Sequence, residues 1–232
     1  MRKSIAIAAV LLMAVAAPAT ASALPAAEPS QSGAANSSAA NYWMDAVMGD
    51  MRGGVLNAKL DPMVMAPFSI KVKANSITNR DVKVNFTAGS MYGLSSLGRL
   101  GDCTYGSFGA DMKMGCYVSL QPVRVAMNAD VKGDSFSGNT HPISTNSQVQ
   151  STTFALVEFR GRRGQAPTLD NISIKLVTLA TSVTSGKLDL NGSRMQDFIQ
   201  ETNQDLSIQL VAAISDRYAE VLRTISARRP LP

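Results

Sequence analysis

The pattern that most constrains the fold of this 232-residue chain is a long helical repeat of apolar residues near its end. Apolar residues recur there at three- and four-residue spacing with charged residues between them, which predicts one helix from Ser193 to about Ala227. Ser193 and Gln196 form a plausible capping box at its start. At 1.5 Å per residue this helix is about 50 Å long, so it requires an apolar partner surface of similar length. The residues that carry the repeat are Met195, Phe198, Ile199, Thr202, Leu206, Leu210, Ile214, Tyr218, Val221 and Ile225.

The middle of the chain supplies that surface, because its apolar residues alternate with period two, as they do in strands with one buried face. The phase of the alternation changes by one residue at Gln121-Pro122, which we interpret as a β-bulge or a strand bend. Two further long strands are expected over Val149–Phe159 and Asn171–Val183. Together they predict a large, curved antiparallel sheet. The alternating runs are Val82, Val84, Phe86 and Ala88, then Met112, Met114, Cys116, Val118 and Leu120, then Val123, Val125, Met127, Ala129 and Val131.

A first helix precedes the sheet. Met44, Met48, Met51 and Val55 lie on one helical stripe, and Asp61-Pro62 is a signal that ends a helix, so we expect an amphipathic helix over Asn41–Leu60. The chain is therefore predicted to be an α+β protein with an N-terminal amphipathic helix. Its long curved antiparallel sheet is expected to wrap around the long C-terminal helix.

The first residues have the pattern of a signal peptide. Arg2 and Lys3 form a basic start, Ile5–Ala17 is apolar, and Ala21-Ser22-Ala23 is a cleavage signal, so residues 1–23 are expected to be removed. A transmembrane anchor is the alternative, but the apolar run is shorter than the roughly 20 residues that a bilayer requires. Residues 24–40 are rich in Ala, Ser and Pro and are interpreted as a flexible linker. Residues 41–232 then form a single domain.

Two further features favour a secreted, extracellular protein. The chain has two cysteines, Cys103 and Cys116, and in a secreted protein a close pair indicates a disulfide. If they face each other across a hairpin, Gly109 and Ala110 are its central residues, and a glycine in the first position suits a type II′ turn. The alternative for the cysteines is a redox or metal-binding pair. Four N-x-S/T sequences are predicted glycosylation sites, at Asn36, Asn85, Asn171 and Asn191.

The sequence does not support catalysis. The single histidine, His141, lies in a Gly/Ser/Asn-rich stretch and is expected to be a loop residue, with no G-x-S-x-G motif to accompany it. Metal-ligand clusters and phosphate-binding glycine loops are also missing from the sequence, so no cofactor and no metal are expected. The net charge falls from +5 to +3 when Arg2 and Lys3 are removed, which is too small to indicate a nucleic-acid partner.

One short segment is strongly basic. Arg160, Arg162 and Arg163 lie in a predicted loop between two strands, where they would suit an anionic lipid, lipopolysaccharide or glycan surface. The alternative is a solvated hairpin tip whose charge serves solubility. Arg223, Arg228 and Arg229 near the end of the chain allow the same two interpretations.

This order of elements resembles that of the arthropod group 7 mite allergens. Those belong to the tubular lipid-binding superfamily, with the juvenile-hormone-binding, takeout and bactericidal permeability-increasing proteins. The resemblance covers the mature chain, from Leu60-Asp61-Pro62-Met63 through Ile77–Val82 and Gly93–Leu97 to the closing helix. The Cys103–Cys116 pair is a departure from the mite proteins and suggests a distinct branch.

The resemblance implies an apolar groove between sheet and helix that accepts a lipid-like ligand. Methionine is flexible and suits a pocket for varied apolar shapes, although the methionines would equally serve as core filler. We therefore expect a carrier that performs no chemistry on its ligand. The alternative is a ligand-free extracellular recognition protein that binds bacterial lipids, glycans or a receptor through its basic loop. The residues expected to line the groove are Met48, Met51, Met112, Met114, Val125, Met127, Phe198, Leu206, Leu210 and Ile214.

Overall fold

The computed structural model of the chain describes residues 31–74, 80–135 and 138–232, and the side chains from residue 37 onward. The expected signal peptide lies outside the described residues. In chain order the elements are α1 (Gln31–Asn57), β1 (Met63–Val64), β2 (Phe68–Val72), β3 (Val82–Tyr92), a 3₁₀ turn (Leu94–Ser96), β4 (Gly98–Phe108), β5 (Asp111–Ser119), β6 (Arg124–Lys132), β7 (Thr140–Val149), β8 (Phe154–Gly161), β9 (Thr168–Ile174), β10 (Leu179–Ser185), α2 (Gly192–Ala212), a π-helical segment (Ala213–Tyr218) and α3 (Ala219–Ser226).

The strands form a long antiparallel sheet in two hydrogen-bonded parts. The six-stranded part has the order β1-β3-β6-β7-β10, with β2 also paired to β3. The four-stranded part has the order β4-β5-β8-β9. The chain passes between the two parts four times, at residues 93–97, 120–123, 150–153 and 175–178.

Neighbouring crossings are joined by hydrogen bonds, so the two parts of the sheet meet along a seam. The Leu120 amide donates to the Thr153 carbonyl over 3.2 Å, and the Gln150 amide donates to the Thr178 carbonyl over 2.9 Å. The Thr178 amide in turn donates to the Thr153 hydroxyl over 2.9 Å. These hydrogen bonds connect three of the four crossings side by side, so they join the two parts of the sheet.

The crossings correct three strand predictions. The change of phase at Gln121-Pro122 is not a bulge within one strand, since it is the turn by which the chain leaves the four-stranded part and enters the six-stranded part. The single strand predicted over Val149–Phe159 is wrong, because the end of β7, a turn and β8 occupy it. The strand predicted over Asn171–Val183 is likewise divided between β9 and β10. Alternation continues across the seam, so the sequence pattern hides the break.

The C-terminal helix covers both parts of the sheet and is continuous through its π-helical turn. Its α2 portion packs on β2 and β10 of the six-stranded part, while α3 packs on β9 and α1. Helix α1 packs on β4 of the four-stranded part. The predicted α+β fold, with a curved antiparallel sheet around a long helix, is confirmed.

The helix boundaries differ from the predictions in two places. Helix α1 begins at Gln31, so residues 31–40 are helical rather than a flexible linker. Ala40 is fully buried, and this apolar contact extends the helix toward its start. At α2 the capping box is wrong: Asn191 is the N-cap, and its side-chain oxygen accepts a 3.1 Å hydrogen bond from the Arg194 amide.

The hairpin prediction is confirmed. Cys103 and Cys116 form a disulfide between β4 and β5, with their Cα atoms 4.4 Å apart. Phe108 pairs with Asp111, which places Gly109 and Ala110 at the turn, and Gly109 has a φ of 64°. A positive φ at the first central residue alone is the geometry of the predicted turn type.

Candidate ligand-binding groove

The predicted groove residues come from both helices and both parts of the sheet. Nine of the ten belong to one continuous cluster of buried apolar side chains. The tenth, Met112, is only half-buried at the hairpin tip, where its sulfur accepts a 3.8 Å hydrogen bond from Ser107. The nine are Met48 and Met51 of α1, Met114 of β5, Val125 and Met127 of β6, Phe198, Leu206 and Leu210 of α2, and Ile214 of the π-helical segment.

The core that these residues share is rich in methionine. Ten of the chain's 12 methionines lie among the described residues, and eight of these ten are buried in this core. Unbranched side chains with three rotatable bonds can repack around a guest molecule at low cost, which branched side chains cannot do. The buried methionines are Met44, Met48, Met51, Met63, Met65, Met91, Met114 and Met127.

One face of α2 is buried along its whole length. The buried residues fall at every fourth position, so they form a single stripe: Arg194, Phe198, Thr202, Leu206 and Leu210. Phe198 stacks on Phe86 of β3 with ring centroids 6.4 Å apart. The stripe is thus apolar in its second half, but it begins with a cation and carries a hydroxyl in its middle.

Several buried and half-buried polar groups of β7, β10 and α2 form hydrogen bonds with one another or with the backbone. Ser147 and Thr181 share a 2.6 Å hydrogen bond across β7 and β10, and the Asn203 side chain donates to the Leu179 carbonyl over 3.0 Å. Two other hydroxyls, those of Thr145 and Thr202, are buried and have no hydrogen-bond partner within the described parts of the chain. A buried hydroxyl without a partner costs about 1–3 kcal/mol, so each marks a place where an added polar atom would be stabilised.

Arg194 is the most unusual member of the stripe because only 3 % of it is exposed. One terminal nitrogen donates to the Arg80 carbonyl over 2.8 Å. Its Nε is buried and has no acceptor among the described residues. Sequence reasoning missed Arg194 as a site residue. Its position at helical spacing from Phe198 and Thr202 was the available signal, but an arginine at the start of a helix is ordinarily exposed.

Tyr218 lies further along the same helix, at the end of the π-helical segment. It is 2 % exposed, its hydroxyl has no partner in the described chain, and burial raises the pKa of that hydroxyl. π-Helical turns are uncommon and occur often at functional sites. The sequence predicted Tyr218 only as part of the apolar repeat.

A separate surface pocket of about 890 Å³ lies between α1 and the end of the C-terminal helix. None of the predicted groove residues lines it. Its walls carry both charged and apolar groups, among them Asp50, Gly54, Arg217, Val221 and Arg228. This pocket is therefore distinct from the buried stripe of α2.

The three arginines of the predicted basic loop have different environments. Arg160 lies in β8 rather than in the loop: its Nε bonds to Asp111 over 2.9 Å and its guanidinium stands 5.0 Å above the Phe108 ring. Arg162 and Arg163 are exposed in the loop that follows. Phe108 is itself 55 % exposed, so its aromatic ring is partly open to solvent beside Arg160.

His141 lies in β7 and is not a loop residue, which corrects the prediction. It pairs with Val131 of the neighbouring strand. Its Nε2 is 2.9 Å from the Lys187 carbonyl oxygen and 3.3 Å from an Asp134 carboxylate oxygen. That nitrogen therefore donates to the Lys187 carbonyl, and no hydroxyl or thiol among the described residues contacts it.

The predicted glycosylation sites have different surroundings. Asn85 is exposed on β3 and Asn171 is exposed on β9, where its amide donates to Glu158 over 2.9 Å. Asn191 is the N-cap of α2, and its side-chain oxygen faces the helix. The side chain of Asn36 lies outside the described residues.

The described part of the chain has neither a cluster of metal ligands nor a helix suited to cross a membrane. Its His, Cys, Asp and Glu side chains form no group of three or more that could hold a metal ion. Among its helices, none combines the length and the apolar character that crossing a membrane requires.

Comparison with known proteins gives one sequence relative. The chain is 25 % identical over 203 residues to the salivary anticoagulant protein P23 of Ixodes scapularis, and the match covers 83 % of this chain and 89 % of that protein. No family model matches the chain.

Two solved structures are similar to this chain to different degrees. Lipopolysaccharide binding protein is similar with a TM-score of 0.53 at 11 % identity, and the match covers 83 % of this chain. The chain spans only 38 % of that larger protein. Takeout 1 of Epiphyas postvittana gives a TM-score of 0.40 at 10 % identity, over 85 % of this chain and 93 % of that one. Over the matched region the chain therefore has the fold of lipopolysaccharide binding protein, a curved antiparallel sheet around a long helix, which agrees with the fold that its resemblance implied.

Proposed function

We propose that this protein is a secreted carrier that binds a lipid-like, amphipathic small molecule between its long helix and its sheet. The observation that carries the proposal is the buried stripe of α2, which includes two polar atoms, the Arg194 Nε and the Thr202 hydroxyl, that have no hydrogen-bond partner among the described residues. A core that served stability alone would gain from apolar residues at Arg194 and Thr202. The lining residues proposed are the ten predicted from the sequence, with Met112 at the outer end.

The apolar contacts suffice for useful affinity. Each buried methylene contributes about 0.8 kcal/mol, so an alkyl chain of about eight carbons reaches micromolar affinity without polar contacts. Carriage requires no reaction, and we propose no catalytic role for His141 or any other residue. The disulfide and the exposed Asn85 and Asn171 support an extracellular location.

The test compares two Phe substitutions on the same helix. Leu206 is fully buried, whereas Ile208, two residues away, is 62 % exposed. Leu206→Phe should fill the groove and weaken binding of a fluorescent fatty-acid probe about tenfold or more, while Ile208→Phe should leave it unchanged. Native mass spectrometry of the secreted protein should show a co-purifying lipid. Equal probe binding by both variants, or a wild-type protein that binds no probe and carries no lipid, would contradict the proposal.

The second candidate function is recognition of an anionic surface through the loop that contains Arg162 and Arg163. Two observations favour it: the exposed Phe108 ring lies against Arg160, two residues before the loop arginines, and the sequence relative is named as an anticoagulant. Arginine binds phosphate and sulfate groups tightly, and an exposed ring inserts readily at a lipid interface.

This candidate is tested with phosphatidylserine vesicles and with plasma clotting time. Arg162→Gln combined with Arg163→Gln should abolish vesicle binding and any delay of clotting. Arg52→Gln combined with Lys73→Gln removes the same charge from other exposed sites and should change neither measurement. If both pairs of substitutions reduce vesicle binding and the delay of clotting equally, these effects depend on the net charge of the protein rather than on this loop.

A further inference from the structure

Arg194 is a buried cation without a carboxylate partner in the described chain. The pKa of the Asp81 carboxyl is lowered mainly by the Lys71 side chain and to a smaller extent by the charge of Arg194. The Asp81 carboxylate contacts the Lys71 ammonium at 2.6 Å and accepts a hydrogen bond from the Ala74 amide at 2.8 Å. A terminal nitrogen of Arg194 donates a hydrogen bond to the Arg80 carbonyl, which is neutral. Burying a charge in this way is unfavourable unless an anion accompanies it.

The Arg194 Nε, which has no acceptor among the described residues, is assigned to the proposed groove. Arg194 shares its buried helical stripe with Phe198, Thr202, Leu206 and Leu210. The stripe extends about 24 Å from Arg194 to Leu210 at 1.5 Å per residue. It thus presents a cation at one end and apolar side chains along most of its length, which matches a single-chain amphipath with an anionic head.

We infer that Arg194 binds the anionic head group, a carboxylate or a phosphate, of the amphipathic ligand. The inference rests on the proposed carrier function and specifies the ligand's chemistry and its direction in the groove. The head group accepts a hydrogen bond from the Arg194 Nε, and the alkyl chain lies along Phe198 toward Leu210. Thr202 and Thr145 supply two further hydroxyls for an oxygen atom on the chain. A neutral alcohol of the same length makes the apolar contacts but leaves the guanidinium uncompensated.

The experiment uses three probes of equal chain length: dodecanoic acid, dodecyl phosphate and dodecan-1-ol. Their affinities for the delipidated protein are measured at pH 8 by displacement of a fluorescent probe. The wild type should bind one or both anions at least tenfold more tightly than the alcohol, and the stronger of the two identifies the head group. Arg194→Gln should remove this preference and leave alcohol binding within about twofold, while Arg194→Lys should retain part of the preference. Arg52→Gln, on an exposed arginine outside both proposed binding sites, is the control and should behave as wild type.

The outcomes separate the inference from the carrier proposal. If the wild type binds the alcohol as tightly as both anions, or if Arg194→Gln retains the preference, the inference is wrong and the carrier proposal stands. If Arg194→Gln weakens all three probes equally, Arg194 is a structural residue and the inference is again wrong. Binding of none of the three probes by the wild type would overturn both. Should Arg194→Gln not fold, the wild-type preference and the Arg194→Lys variant decide the question.

Discussion

At the scale of single residues, Gly53 and Gly54 of α1 have opposite surroundings although they are neighbours. A Cβ built on Gly54 would stand 2.8 Å from a Val221 methyl group, whereas one on Gly53 would meet nothing within 4 Å. Gly54 thus allows α1 and α3 to approach closely, and Gly53 only lowers the stability of the helix. The sequence alone could not distinguish these two roles.

This contrast predicts opposite effects of alanine at the two sites. Gly53→Ala should raise the free energy of unfolding by about 0.5–1 kcal/mol because alanine favours the helix. Gly54→Ala should lower it by about 1 kcal/mol or more because Val221 and Ile225 must shift. Urea denaturation of the two variants measures both, and equal changes would show that the helices do not meet at Gly54.

The hydrogen bonds of Asp61 predict that the stability of the protein depends on pH. Burial raises the pKa of the Asp61 carboxyl, but hydrogen bonds from the Ser95 hydroxyl, the Ser95 amide and the Gly93 amide lower it below its ordinary value of 3.8. A lowered folded-state pKa means that the ionised carboxylate stabilises the protein above about pH 4. This contribution is lost as the pH falls through the folded-state value.

Asp61→Asn should therefore lower the free energy of unfolding by about 1–3 kcal/mol at pH 7. Its stability should also decrease less than that of the wild type between pH 4 and pH 2. Thermal unfolding at a series of pH values tests both points, with Asp216→Asn, an exposed residue, as the control. If Asp61→Asn loses as much stability as the wild type between pH 4 and pH 2, the Asp61 carboxylate does not cause this loss.

At the scale of elements, the β4–β5 hairpin was predicted in full from the sequence. The two cysteines, the turn and the pairing all follow from local spacing, because a hairpin brings together residues that are near in the chain. The crossings between the two parts of the sheet were not predictable in this way. Where β7 continues into β8, both strands alternate, and only pairing with distant strands separates them.

The hairpin carries a prediction of its own. Replacing both Cys103 and Cys116 by alanine should lower the free energy of unfolding by about 3 kcal/mol, since the disulfide closes a loop with a sequence separation of 13. The reduced wild type should lose a similar amount. Urea denaturation with and without reductant measures this loss, and a double variant as stable as the oxidised wild type would contradict it.

At the scale of the whole molecule, the end of the chain connects the long helix to the four-stranded part of the sheet. The Leu231 amide donates to the Gln165 carbonyl, and the Gly164 amide donates to the Leu231 carbonyl, each over 2.9 Å. The Leu231 side chain is 2 % exposed, and Arg229 pairs with Asp50 of α1 at 2.7 Å. The segment after α3 is therefore part of the packed structure, and Arg229 is not a freely solvated charge.

Leu231→Ala should consequently destabilise the protein by about 2–4 kcal/mol, as expected for a buried leucine. It should also increase amide hydrogen exchange at Gly164 and Gln165, whose backbone groups bond to Leu231. Leu176→Ala serves as the control because Leu176 is 68 % exposed. Unchanged exchange in this loop would show that Leu231 does not hold it.

The sequence by itself determined what depends on local order: the alternating and helical apolar patterns, the hairpin, and nine of the ten residues that now share one core. Each of these is a property of neighbouring residues, which the periods of helix and strand express directly. Only the tertiary structure decided where the sheet divides into its two parts, that His141 lies in a strand, and that Arg194 is buried without a carboxylate partner in the described chain. These features depend on which distant segments meet, and burial of a charge has no local sequence signature because it is imposed by the elements packed around it.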